Sequence, residues 1–125
     1  FTDKILNGET IDIYNFGNMK RDFTYIDDII MGTRAAIDKN YSCEIFNLGN
    51  NKTEKLMKMV EIIEEYLGKK ALINFSPIQP GDVPSSFADI DKSYKLLNFV
   101  PKVDIQKGIP LFIDWFLNYH SKEIN

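Results

Sequence analysis

The chain has 125 residues, of which 44% are hydrophobic and 13% aromatic, so it is long enough to bury the core of one domain. Its net charge of −3 excludes the broad basic field that attracts nucleic acids and anionic membranes. The single cysteine, Cys43, excludes an internal disulfide and fits a cytoplasmic protein, and no apolar run reaches membrane-spanning length.

The beginning of the chain predicts a helix, a strand and a turn. Residues 1–6 indicate a helix that Asn7 and Gly8 end, because glycine tolerates the left-handed conformation of a helix C-cap. Residues 10–14 alternate apolar and polar side chains as a strand does, and the chain turns at Gly17.

A helix and then a strand are predicted next. Apolar residues recur at helical spacing over residues 25–37, and Asp27 and Asp28 lie in the first turn, where the helix dipole favours negative charge. We interpret these carboxylates as helix-start chemistry and not as a metal site, since adjacent carboxylates on a helix diverge. Residues 44–49 are β-prone and lie between helices, which is typical of one strand in a parallel α/β sheet.

The middle of the chain predicts another helix and another strand. Thr53 is expected to cap a helix whose apolar residues recur as far as Leu67 and which Gly68 ends. Residues 71–75 are a further strand candidate. Two or three strands among four or five helices predict an α/β fold, with too few strands for a complete doubly wound sheet.

A long aperiodic segment follows at residues 76–86, with three prolines and Gly81. Such a segment inside a compact domain is usually a functional loop or disordered, and we favour the functional loop.

Two helices complete the predicted elements. Asp89 or Asp91 is expected to cap a short helix that extends through Leu97. A last helix is expected over residues 108–119, beginning not much before Lys107, because Pro110 suits the first turn of a helix.

Arg21 is the first candidate for contact with an anionic ligand. Its guanidinium is a planar, permanently charged fork that suits phosphate oxygens, and Arg34 is the only other arginine. Spacing alone favours a different interpretation, in which Arg21 is a surface residue paired with Asp22 or Asp27.

Other residues indicate binding and not catalysis. Tyr14 could stack on a ligand, and the turn at residues 79–82 offers Asp82, whose carboxylate could accept hydrogen bonds from a ribose diol. His120 is the only histidine, and no glycine-rich phosphate loop is present. The chain alone therefore predicts no catalytic, NAD-binding or metal-ligating residues.

Four groups of residues carry a resemblance to a known family. They are residues 13–28 (IYNFGNMKRDFTYIDD), 46–50 (FNLGN), 79–84 with 88–90 (QPGDVP, ADI), and Gly108-Ile109 ahead of Trp115. In this order they resemble the C-terminal part of the NAD-dependent nucleotide-sugar epimerase/dehydratase family, which are extended short-chain dehydrogenases. Within that family the pattern is most similar to UDP-glucuronate 4-epimerases of bacterial capsule or surface-polysaccharide synthesis.

The resemblance implies a two-part enzyme. An N-terminal Rossmann domain would hold NAD and a tyrosine–lysine catalytic pair, and residues 1–125 would be the C-terminal portion that binds the nucleotide sugar. The helix over residues 25–37 and the strand at Phe46 would complete the edge of the Rossmann sheet. The N-terminal domain is absent from this chain, so the chain alone is expected to be inactive.

The resemblance also implies roles for individual residues. Arg21 would grip the pyrophosphate, Asp12, Ile13 and Tyr14 would lie along the uracil, and Asp82 would meet the ribose.

Two further residues bear on the sugar. Gln79 stands where galactose-type epimerases carry a second phosphate-binding arginine, and Ser86 stands where those enzymes carry a tyrosine. Both differences weaken an assignment to UDP-galactose, and the glutamine is what the glucuronate-type pattern leads one to expect.

In the whole enzyme the implied reaction is hydride removal from C4 of the sugar by NAD, rotation of the 4-keto sugar, and hydride return to its opposite face. The alternatives are a 4,6-dehydratase or a UDP-glucuronate decarboxylase of the same family, and a non-catalytic interaction module. Without the N-terminal domain, exposed apolar surface and an unpaired strand edge predict a homo-oligomer, element swapping or marginal stability.

Overall fold

The computed structural model describes residues 1–121, which form five α-helices and four short strands. In chain order they are α1 (Thr2–Asn7), β1 (Thr10–Ile13), β2 (Lys20–Arg21), α2 (Ile26–Lys39), β3 (Glu54–Lys55), α3 (Leu56–Leu67), β4 (Leu72–Phe75), α4 (Asp91–Leu97) and α5 (Ile105–Ser121). A 3₁₀ turn (Tyr14–Gly17) follows β1. The predicted α/β fold is confirmed, as are the helix that ends at Gly8 and the strands at residues 10–14 and 71–75.

The strands form two pairs. β1 and β4 are parallel, with Ile11 opposite Ile73, while β2 and β3 are antiparallel, with Arg21 opposite Glu54. Because parallel strands end at the same edge of a sheet, the segments that follow β1 and β4 start beside each other. These segments are the Tyr14–Gly17 turn and the loop of residues 76–86.

The core has two apolar clusters. The larger one surrounds β1 and consists of Ile5, Ile11, Ile13, Val60, Ile63 and Ile113. The smaller one consists of Ile90, Leu97 and Phe99, with residues of α2 and of the 46–48 segment packed against it. Along β1, Ile11 and Ile13 are fully buried while Thr10 and Asp12 are exposed, so one face of the strand fixes it in the core.

Residues 44–49 do not form the predicted strand. Ile45 is 82% exposed, and the segment pairs with no strand of residues 1–121. Hydrogen bonds that involve side chains hold the segment instead. The Ser93 hydroxyl donates to the Asn47 carbonyl, and the Asn47 side-chain amide donates to the Asp89 carbonyl at 3.1 Å. A β-prone sequence becomes a strand only where a neighbouring strand supplies the ladder.

The prediction that Thr53 caps α3 is also wrong. The helix begins at Leu56, and Lys55 precedes it without a side-chain cap. Residues 54–55 instead form β3, which pairs with β2, and the Leu56 N–H donates to the Met19 carbonyl at 2.9 Å. Strand pairing therefore moves the helix start, whereas its predicted end at Gly68 is confirmed.

α5 begins at Ile105, earlier than predicted. The Asp104 carboxylate accepts the Lys107 N–H at 3.0 Å, as a helix N-cap does. Pro110 consequently lies inside the helix, where its missing N–H leaves the carbonyl of Gln106 without a helical partner. Gln106 is exposed, so water can satisfy that carbonyl.

Neither of the two candidate caps occupies the N-cap position of α4. The helix begins at Asp91, and Ile90 is its N-cap residue, without a side-chain cap. The Asp89 carboxylate lies one residue earlier and accepts the Asp91 N–H at 3.0 Å. The predicted end of the helix at Leu97 is confirmed.

Asp28 has a role that helix-start chemistry does not cover. It is 4% exposed, and its Oδ2 accepts the N–H groups of Lys102 at 3.0 Å and Val103 at 2.9 Å. The carboxylate therefore ties the first turn of α2 to the segment that leads into α5.

The turn between α3 and β4 also depends on a carboxylate. Glu64 accepts hydrogen bonds from the Lys70 ammonium at 2.7 Å and from the Ala71 N–H at 2.8 Å. Both bonds stabilise the charged form and lower the pKa of Glu64.

We expect Asp28→Ala to reduce the free energy of unfolding by about 1–3 kcal/mol, because it leaves two part-buried N–H donors without their charged acceptor. Urea denaturation measures the loss. The matched control is Asp27→Ala on the exposed side of the same turn, for which a change of about 0.5 kcal/mol is expected. Equal losses in the two variants would contradict this role of Asp28.

Candidate functional site

The turn after β1 is strained. Asn15 and Phe16 both have a φ of 50°, a left-handed conformation that asparagine tolerates but that a bulky side chain such as Phe16 rarely adopts. Three hydrogen bonds hold it. The Asn15 side-chain amide donates to the Asn18 carbonyl at 2.8 Å, the Asn18 N–H donates to the Asn15 carbonyl at 2.9 Å, and the Phe16 N–H donates to the Ser76 carbonyl at 3.1 Å. Backbone strain of this kind clusters at ligand-binding sites.

The loop after β4 starts from the same place. The Ser76 N–H donates to the Ile13 carbonyl at 2.9 Å, so the loop of residues 76–86 and the Tyr14–Gly17 turn are joined at their bases. Further along, the Asp82 N–H donates to the Gln79 carbonyl at 3.1 Å across Pro80 and Gly81. Gly81 has a φ of 85°, as the third position of a type II turn requires. This turn presents Asp82.

Arg21 and Asp82 form an ion pair, with 2.6 Å between Nη2 and Oδ1. Nη1 of Arg21 also donates to the carbonyls of Val83 at 2.8 Å and Lys20 at 2.9 Å. The two side chains are 28% and 31% exposed, so solvent or a ligand can reach both. Arg21 is thus an ion-paired residue, but its partner is neither Asp22 nor Asp27.

β2 binds the loop at further points. The Lys20 N–H donates to the Pro84 carbonyl at 2.8 Å, and the Ser86 N–H donates to the Lys20 carbonyl at 3.3 Å. The second half of the loop therefore lies along β2 with Asp82 beside Arg21.

The other predicted site residues differ in exposure. Tyr14 is half-buried, and Asp12 is exposed and accepts a hydrogen bond from the Asn74 amide at 2.8 Å. Gln79 and Ser86 are exposed in the loop. The Ile13 side chain is fully buried in the core, so only its backbone could take part in a site.

Asp22 is a residue that the sequence reasoning did not place in the site. Its Oδ1 accepts the Asn50 N–H at 2.7 Å, and its Oδ2 accepts the N–H groups of Asn51 and Ala88, both at 3.1 Å. These donors lie far along the chain, and the only local signal is the position of Asp22 between a strand and a helix.

Gly49 is the nearest sequence match to a phosphate-binding turn, and it is closely packed. A Cβ there would lie 2.5 Å from the Ala88 Cβ and 2.8 Å from Asp22 Oδ2. The turn at Gly49 therefore packs directly against Asp22 and Ala88.

A mostly apolar groove of about 590 Å³ lies between the start of α2 and α5. Its lining includes Phe23, Tyr25, Ile26, Phe112 and Trp115, and none of the predicted site residues. Among residues 1–121 no helix is both long and apolar enough to cross a lipid bilayer.

Known proteins resemble this chain along most of its length. The NAD dependent epimerase/dehydratase family model matches residues 1–49. A protein of Methanocaldococcus jannaschii is 53% identical over 117 residues, which cover 94% of this chain and 36% of that protein. The UDP-glucuronate 4-epimerase of Thermodesulfobacterium geofontis is 39% identical over 116 residues, covering 92% and 36%.

A solved structure shares the fold. The crystal structure of UDP-glucuronic acid 4-epimerase from Bacillus cereus, in complex with UDP-glucuronic acid and NAD, matches with a TM-score of 0.85 and 31% identity, over 94% of this chain and 38% of that chain. The chain spans about two fifths of the length of the curated relatives it matches. The similarity in sequence and in fold shows that the chain belongs to the NAD dependent epimerase/dehydratase family.

Proposed function

We propose that residues 1–125 are the C-terminal, nucleotide-sugar-binding portion of an NAD-dependent 4-epimerase that acts on UDP-glucuronate or a similar UDP-sugar. The observation that carries the proposal is the ion pair of Arg21 with Asp82, two residues 61 positions apart that present a cation and a carboxylate together. The relatives named as UDP-glucuronate 4-epimerases support the substrate. We further propose a cytoplasmic location and a role in surface-polysaccharide synthesis.

Arg21 is suited to a diphosphate. A guanidinium has five N–H donors, and Lys20, Val83 and Asp82 accept three from Arg21. The Nε–H and one Nη2–H have no partner among residues 1–121 and can donate to phosphate oxygens. Hydrogen bonds between charged groups are about twice as strong as neutral ones, so one arginine can bind the anion in a chain of net negative charge.

Asp82 is suited to the ribose. Its Oδ1 accepts from Arg21 and from the Val83 N–H, whereas no described residue donates to its Oδ2. That oxygen can accept a ribose hydroxyl while Arg21 stays in place. Tyr14 and Asp12, across the joined bases of the two loops, are proposed to lie along the uracil, and Gln79 and Ser86 to contact the diphosphate or the sugar.

The chain would bind the nucleotide, while the sugar reacts with groups outside residues 1–125. NAD supplies the oxidation and reduction of the sugar, and we propose that an N-terminal part outside residues 1–125 binds NAD and holds the catalytic residues. Residues 1–125 contribute affinity and orientation, which lower the barrier by keeping the sugar near the reacting groups. The chain alone would then bind UDP without catalysis.

We expect Arg21→Ala to weaken UDP binding about tenfold to a hundredfold, because it removes a charge-assisted contact of about 1.5–3 kcal/mol. Uridine, which has no phosphate, should bind the variant almost as it binds the wild type. Titration calorimetry with both ligands measures the difference. Arg34→Ala is the control, since Arg34 is exposed and pairs only with Asp38 on α2. Absence of UDP binding to the wild type would contradict the proposal and leave the interaction module as the alternative.

We expect Asp82→Asn to weaken the binding of UDP and uridine by the same factor, about threefold to thirtyfold, because both ligands carry the ribose. The same titrations measure it, with Asp27→Asn as the control. A loss for UDP alone would place Asp82 at the phosphates instead of the ribose.

An exposed apolar stripe on α2 supports the assignment of the chain to part of a larger domain. Ile26, Ile30 and Ile37 are 58%, 58% and 68% exposed, and Ile45 is close to fully exposed. We propose that the N-terminal part covers this face and pairs with residues 44–49.

Without that part, we expect residues 1–125 to self-associate through the stripe, because exposed apolar patches of this kind promote association. Light scattering after size exclusion should give dimers or larger species at micromolar concentration. Ile30→Asp with Ile37→Asp should shift them toward monomer, whereas Lys39→Asp, at an exposed position on the opposite side of the same helix, should have a smaller effect. A stable wild-type monomer at every concentration would contradict this expectation.

A further inference from the structure

We propose that Asp22 is a positioning residue of the nucleotide site. It anchors the chain at Ala88, just beyond the loop of residues 76–86 (the Asp82 loop), and so sets where Asp82 lies relative to Arg21. The inference rests on the proposed function. It adds a residue that touches no ligand and acts through the loop.

The carboxylate of Asp22 is saturated by donors from three separate segments. Oδ1 accepts from the Asn50 N–H at 2.7 Å and the Thr24 hydroxyl at 3.4 Å. Oδ2 accepts from the N–H groups of Asn51 and Ala88 at 3.1 Å. An ionised carboxylate offers about four acceptor sites, and all are used. In an asparagine at this position, an NH₂ group would replace one of the two oxygens and would face the N–H groups that this oxygen now accepts.

Three consecutive residues bind the loop along β2 and just beyond it. Lys20 bonds to Pro84 and Ser86 through its backbone, Arg21 bonds to Asp82 and Val83, and Asp22 bonds to Ala88. The Arg21 ion pair is partly exposed, and pairs of that kind contribute only about 0–1 kcal/mol. The anchor at Ala88 is part-buried as well and has a charged acceptor, and it fixes the chain just beyond Ser86, where neither Lys20 nor Arg21 bonds to it.

Gly49 gives an independent observation for the same anchor. It is buried, and a Cβ there would lie 2.8 Å from Asp22 Oδ2 and 2.5 Å from the Ala88 Cβ. Only a residue without a side chain lets the turn of residues 49–51 approach closely enough to donate both N–H groups to Asp22. The turn, the carboxylate and the loop end are therefore packed as one unit.

Release of this unit would cost affinity and not only stability. The bonds of Lys20 and Arg21 hold the loop near Asp82, and the bond to Ala88 holds the chain where the loop ends. Without that last bond the loop end is less ordered before the ligand arrives and must be ordered on binding. The Arg21 side chain and its free donors would remain, so the loss should be partial.

The test compares Asp22→Asn with Asp38→Asn, an exposed carboxylate on α2. We expect Asp22→Asn to weaken UDP binding about tenfold in calorimetry. Hydrogen exchange should show lost protection over residues 82–88 and retained protection in α3 and β4. Gly49→Ala should weaken binding in the same direction, and the two changes combined should be less than additive because they act on one unit. Should Asp22→Asn not fold, Asp22→Glu keeps the charge and should lose affinity through its different reach.

The outcomes separate the two proposals. If the wild type binds UDP and the folded Asp22 variant binds it within twofold, or if residues 82–88 keep their protection, the positioning role is wrong and the proposed function stands. If the wild type binds no UDP, the proposed function fails, and the inference fails with it.

Discussion

The parallel pairing of β1 with β4 is the constraint on which the rest of the structure depends. Ile11 and Ile13 are fully buried, so β1 has one possible face toward the core, and its register with β4 is thereby set. The strained Tyr14–Gly17 turn and the Asp82 loop then leave one edge of the sheet and are joined through Ser76. A shift of one residue in this pair would turn the apolar side chains outward and separate the two loops.

The net charge of the protein limits how it can bind an anion. The protein is acidic overall, so an anion cannot be attracted by a general field and must be bound by individual groups. Arg21 is held in place by Asp82 and by two carbonyls, and it retains donors for a ligand. A partly exposed ion pair of this kind contributes little to stability.

Local sequence signals accounted for most of the helices and for the strands of the β1–β4 pair, since amphipathic spacing and glycine ends act within a few residues. They failed where distant residues decide. Residues 44–49 lack a partner strand, and the pairing of β2 with β3 moves the start of α3 past Thr53. The start of α5 is a different case: the Asp104 side chain accepts the N–H of Lys107 only three residues away, so it is a local signal that the emphasis on Pro110 overlooked.

In the candidate site too, local sequence signals failed where residues distant in sequence make the contacts. Spacing alone offered Arg21 only Asp22 or Asp27 as partners, whereas its partner is 61 positions away. The family resemblance named both Arg21 and Asp82 because it carries information on ligand contacts that local periodicity lacks. Their roles toward a nucleotide remain predictions, as do those of Tyr14, Gln79 and Ser86. The bonds of Asp22 and Asp28 could not be foreseen, because their donors come from remote backbone.

The loop of residues 76–86 leaves the sheet beyond its last ladder pair, and much of its sequence contacts no core residue. Its tip can therefore accumulate substitutions while the two apolar clusters remain intact. Divergence among relatives that share this scaffold could thus proceed by exchange of tip residues such as Gln79, with the frame inherited unchanged.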